Sequence, residues 1–176
     1  IDYGGAAREF QSSSASLGLT FLLAIGFVFL VMAAQFESWI DPFVVMFAVA
    51  LAMVGALLAI TLTGGTLNIF SQIGLISLVG LITKNGILVV EFANQLREKD
   101  GMGVREAVIE ASVLRLRPIL MTAFALILGT FPLAFAAGAG AESRQAIGWV
   151  IVGGMTVGTF FTLYVVPTIY SYLARD

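Results

Sequence analysis

Five apolar runs, each about as long as a bilayer is thick, constrain this chain more than any other feature. They read as Ala15 to Phe36, Pro42 to Thr63, Ile69 to Ala93, Pro118 to Ala137 and Ala146 to Leu173. About 20 consecutive apolar residues carry a helix across the hydrocarbon. Of the 176 residues, 59% are hydrophobic and 11% charged, against about 25% charged in ordinary soluble domains. The expected fold is all-α: an integral membrane protein of five transmembrane helices. Two domain-level pieces are read, a polar, Gly-rich connection over residues 1–12 and a membrane domain over 13–176. The chain starts at Ile1 with no secretory signal pattern, so it reads as part of a longer polypeptide.

The gaps between runs set the topology. "ESWID" and "GGTLN" are short enough only for tight reversals, and Trp39 in the first is placed as an interfacial aromatic would be. Pro42 and Pro118 are expected at the first turns of their helices, where a missing N–H costs nothing. The third gap carries Arg97, Lys99, Arg105, Arg115 and Arg117. By the positive-inside bias it is cytoplasmic, and alternation then puts Arg175 inside and Arg8 and Arg144 outside. The expected orientation is N-terminus out, C-terminus in.

Within the third gap, "GVREAVIEASVLRLRP" sets Val104, Val108, Ala111 and Leu114 on one helical stripe. A short amphipathic helix over about 103–116 is therefore expected on the inner membrane surface, as a structural connector. The pairs Ala52/Ala56 and Gly154/Gly158 have the spacing that permits close helix approach, or reflect only the abundance of small residues. Pro132 and Pro167 fall late in the fourth and fifth spans, where kinks are expected.

Lys84 is the anomaly. It stands in "LVGLITKNGILVVEFANQ", two turns before Glu91, which puts its ammonium roughly 10 Å into the apolar layer. A central lysine costs about 2.5–3.5 kcal/mol on insertion scales, so such groups normally face a counter-ion or a wet cavity. Every acid in the chain sits at a span end or in a loop. The counter-ion of Lys84 is therefore expected outside this chain. Thr122 enters from the same side to a comparable depth, and either lines a polar seam with Lys84 or bonds back to the carbonyl of Pro118. Asn85 either joins helices by a hydrogen bond or lines an ion path.

The strings "GLISLVGLITKNGILVVEFANQLRE" and "EASVLRLRPILMTAFALILGTFPLAFAAGAG", with "AAQFESWIDPF" and "VVPTIYSYL", resemble the C-terminal membrane half of the resistance–nodulation–division pumps. The likeness is to their hydrophobe/amphiphile, or acriflavine-resistance, branch and runs almost end to end. It implies the eighth to twelfth helices of a twelve-helix subunit, with residues 2–12 leaving a periplasmic porter region. In that family a lysine matching Lys84 pairs with two aspartates on the fourth helix of the N-terminal half, and protonation of those aspartates drives drug export. The residues matching Thr122 and Arg115 are counted in the same proton relay, with Asn85 beside it. The resemblance further implies a bacterial inner-membrane homotrimer that works with a periplasmic adaptor and an outer-membrane channel.

Other functions are excluded or left as competitors. The chain has no His and no Cys, which removes imidazole bases, thiolate chemistry and the usual metal ligands, so no metal site or cofactor is expected and the driving force is the proton-motive force. A net charge of −2 gives no reason to expect nucleic acid. A secondary transporter, not an enzyme, is expected. A metal-ion- or lipid-exporting pump of the same class remains an alternative, as does a non-transporting assembly piece. The substrate-reading region lies outside these residues, and sodium is not excluded as the coupling ion.

Overall fold

The structure, a computed structural model, describes residues 5–174; residues 1–4, Arg175 and Asp176 lie outside the described residues. So the expected inward placement of Arg175 and the first four residues of the connection have no structural counterpart here. Five helices follow one another: α1 (Gly5–Phe36), α2 (Ile40–Leu62), α3 (Ile69–Asp100), α4 (Val104–Ala134) and α5 (Ala141–Leu173). All five are long and apolar enough to cross a membrane.

Local chemistry sets the ends. α3 begins where Asn68 Oδ1 accepts the Ser71 backbone N–H at 2.9 Å while Ser71 Oγ accepts that of Asn68 at 2.8 Å, a reciprocal cap. It ends at Gly101, whose φ of 63° suits a residue without Cβ. Arg97 and Lys99 lie in that last turn, where cations favour the helix dipole.

Two helices differ from the expected bounds. Residues 5–12, read as a connection, continue α1. The separate connector helix over 103–116 is instead the N-terminal half of α4, which runs without a break through Pro118 into the fourth span. Pro118 is thus an interior residue, not a first-turn one. The stripe of Val104, Val108 and Ala111 is buried against Val90, Ala93, Val166 and Tyr170, so it faces the bundle and not a membrane surface. Leu114 falls off that stripe and is exposed.

α5 is the hub, touching α2, α3 and α4, whereas α1 packs only on α2 and α3. The seams close on glycine. A Cβ on Gly158 would stand 2.6 Å from Ala52 Cβ and 2.6 Å from Ile82 Cδ1, and one on Gly154 2.2 Å from Leu78 Cδ2. The spaced small residues are therefore packing contacts: Ala52 and Ala56 are fully buried and face the glycine side of α5.

These contacts also fix depth. Gly74 meets Val150, Leu78 meets Gly154, and Ile82 meets Gly158. Asn94 meets Tyr170, 76 residues away, and the other three pairs have the same separation. α3 and α5 are thus parallel and in constant register. α4 runs the other way, with Gly148 against the backbone of Ala134. Stepping equally along both helices sets Ala123 level with Thr159 and Thr122 level with Lys84, to within a turn. Arg115, whose guanidinium carbon lies 4.5 Å from the Phe92 ring centre, sits where this register requires.

Candidate functional site

Lys84 occupies the middle of α3, 15 residues from its first residue and 16 from its last. It belongs to the stripe Phe70, Ile73, Ser77, Gly80 and Lys84, all exposed, which no other helix of the chain covers. Among the described residues it has no ion pair or hydrogen bond.

Thr122 is at Lys84's depth on α4 and is also exposed. Its hydroxyl points back to its own helix, to the carbonyls of Pro118 at 3.1 Å and Ile119 at 3.0 Å. Of the two readings open from sequence, this is the back-bonded one. Asn85 is buried behind Lys84, and its Nδ2 has no hydrogen-bond partner. Arg115 lies about two turns further toward the third gap, its plane over Phe92 and its buried Nε unpartnered. The structure thus brings Lys84, Asn85 and Thr122 to one depth and leaves Arg115 at the rim of the same seam.

A second polar group escaped the sequence. Asp41, 7% exposed at the start of α2, accepts a hydrogen bond from Asn94 Nδ2 at 2.8 Å. The Tyr170 hydroxyl donates to Asn94 Oδ1, and Arg97 Nη1 donates to the Tyr170 oxygen at 3.3 Å. This chain of bonds clamps together the ends of α2, α3 and α5 that lie beside the third gap. Its three bonds join residues 53, 73 and 76 positions apart in sequence, so only the helix register reveals it. The sole hint was an aspartate immediately before Pro42 in a chain poor in charge. No group of three or more acidic residues able to hold a metal occurs among the described residues.

These features define a multi-pass helical membrane protein with a lysine and a threonine exposed at mid-depth and a polar clamp at one end of the bundle. A family model described as the AcrB/AcrD/AcrF family matches residues 1–174, and the chain belongs to that family of resistance–nodulation–division multidrug efflux transporters. An uncharacterized transporter of Haemophilus influenzae is 49% identical over the whole chain. The multidrug resistance protein MdtF of Escherichia coli K12 is 43% identical over 97% of it, and MdtC of Erwinia amylovora 40% over 98%. The chain covers 18% of the first of these relatives and 17% of the other two.

Proposed function

We propose that this chain is the C-terminal membrane part of a proton-driven drug/proton antiporter of the hydrophobe/amphiphile branch, exporting hydrophobic or amphiphilic compounds across the bacterial inner membrane. The observation that carries this is Lys84: a mid-helix ammonium on an uncovered face, level with Thr122 and Asn85, with no acid of its own. A partner segment bearing carboxylates on that face would neutralise it. Protonating those carboxylates removes the charge that holds the lysine, and the helix packing they control then changes with each proton that crosses. Asn85 and Thr122 offer neutral hydrogen-bonding groups at the same depth, and Arg115 marks the cytoplasmic rim. On this reading the N-terminus is periplasmic, the C-terminus cytoplasmic, and residues 1–12 lead from a porter region. The intact protein would be a homotrimer engaging a periplasmic adaptor and an outer-membrane channel, and this chain alone would transport nothing.

The test is drug efflux with proton uptake in vesicles of the intact transporter carrying this chain, wild type against Lys84→Ala, at matched expression and assembly. Both fluxes should vanish together. Efflux at the wild-type rate in Lys84→Ala would make the lysine structural and remove the proposal. Running the same vesicles with dyes, bile salts and copper separates multidrug from metal export.

A further inference from the structure

The hydroxyls of this chain fall into two groups. Ser77, Ser112, Thr122, Thr130, Thr156 and Thr168, all exposed or half-buried, each bond back to a carbonyl three or four residues earlier. That is the expected refuge for a hydroxyl on a membrane helix. Thr159 and Thr162 of α5 do not use it: they are 5% and 0% exposed, and neither Oγ1 has a partner. Asn85 Nδ2, on a residue 3% exposed, is in the same condition.

These three belong together. Thr159 and Thr162 are three residues apart and so share a face of α5, together with Met155. Gly148, on the same side of α5, packs on the α4 backbone, so this face looks toward α4. The register puts Asn85 of α3 at the level between the two threonines. Opposite Thr159 stands Ala123, buried and the smallest side chain α4 could offer short of glycine. On α4, Arg115, Ile119 and Ala123 follow at steps of four on one stripe, and the buried Nε of Arg115 is a further unpartnered atom. Thr83 is unpartnered too, but two residues from Asn85 it lies on the other flank of α3.

A buried polar atom left without a partner costs about 1–3 kcal/mol. Threonines that could have turned to their own carbonyls, as the hydroxyls named above do, incur that cost only where something else satisfies them. The groups here are two hydroxyls, each donor and acceptor, and one amide donor, with no carboxylate. That set matches water, which accepts from the amide and exchanges bonds with both hydroxyls. We propose that the α3/α4/α5 junction is a hydration site built by Asn85, Thr159 and Thr162, whose internal water links the rim at Arg115 to the depth of Lys84 as the inner leg of the proton path. Conduction is balanced: a proton accepted at one end of the hydrogen-bonded row is matched by one released at the other, with no net bond change. The path deepens the antiport proposal, whereas the hydration site stands apart from it.

Hydroxyl-radical footprinting of the intact transporter carrying this chain, in lipid nanodiscs, reads the water directly, with buried Met155 as the reporter and buried Met32, outside the junction, as the dry reference. Met155 should be labelled in the wild type and in Thr159→Ser/Thr162→Ser, and should fall to the level of Met32 in Thr159→Val/Thr162→Val. In vesicles of the intact transporter, the valine pair should lose proton uptake and the serine pair keep it. A wild-type Met155 as unreactive as Met32 overturns the site whether or not the variants fold. Wild-type uptake in the valine pair overturns the path, and uptake that disappears when choline replaces sodium makes the junction a cation site instead. If Lys84→Ala retains uptake while Met155 stays labelled, the antiport proposal fails and the hydration site remains.

Discussion

Replacing Gly148 by alanine should loosen the contact between α4 and α5 more than any comparable change on the open faces of the bundle. The added Cβ would lie 2.5 Å from Ala134 N, 2.8 Å from its Cα and 2.9 Å from Leu133 C. All three are backbone atoms, so no rotamer change relieves them. Recovering an ordinary 3.4 Å contact requires one helix to move by about 0.9 Å. Overpacking of this kind costs about 1–3 kcal/mol, and the rigid neighbour argues for the upper half. The control is Gly80→Ala, where nothing lies within 4 Å of the new methyl. There alanine should be neutral or stabilising by about 0.5–1 kcal/mol, because glycine is a poor helix former. SDS titration of the purified chain in detergent, followed by far-ultraviolet circular dichroism, compares the two. If Gly148→Ala resists SDS as well as Gly80→Ala does, the close approach of α4 and α5 at Ala134 is wrong.

The polar clamp predicts that Asn94→Leu, which takes the amide donor from Asp41 and the acceptor from the Tyr170 hydroxyl, lowers stability in the same titration by about 1–3 kcal/mol. Lys84→Ala should leave the stability of this chain unchanged or raised, since Lys84 has no partner among the described residues, while abolishing transport in the intact protein; a large loss of stability would contradict its placement. The proposed sidedness is checked in a chain that lacks cysteine, so single introduced thiols report alone. Met102→Cys should react with an impermeant maleimide only from the cytoplasm and Ser143→Cys only from the periplasm, and the reverse pattern would invert the topology. Pro118→Ala should stabilise α4, by at most the roughly 3 kcal/mol that an interior proline costs a helix, and an unchanged midpoint in the titration would show that Pro118 is not interior.

Spans were legible because the bilayer demands length and apolarity, properties that belong to consecutive residues. Ile69, Phe36 and Leu173 mark helix ends in both sequence and structure for that reason. The break expected at Pro118 did not occur, because Val104, Ala107, Val108 and Ala111 dock on α3 and α5 and hold the N-terminal half of α4 in line with the C-terminal half. Lys84 could be picked out by charge alone, and its depth relative to Thr122 by counting residues. What lay beyond counting was orientation. Asp41 reads as one more acid at a span end until α3 and α5 bring Asn94 and Tyr170 beside it. Thr159 and Thr162 look like two threonines among many, and only their burial and the direction of their hydroxyls set them apart from Thr156 and Thr168.

The continuity of α4 has a mechanical consequence. At 1.5 Å per residue its 31 residues form a rod about 46 Å long. It is pinned near its C-terminal end, where Ala134 sits on Gly148. A rod held there acts as a lever with a long N-terminal arm: a tilt of about 5° carries its far end, together with the contacts that Val104, Val108 and Ala111 make, through about 4 Å, given that length. Arg115 rides on that arm and Thr122 nearer the pivot. A small change of angle set at the depth of Lys84 is thereby magnified at the end that carries Val104, and the same beam returns a push at that end to the depth of Lys84 as a finer adjustment.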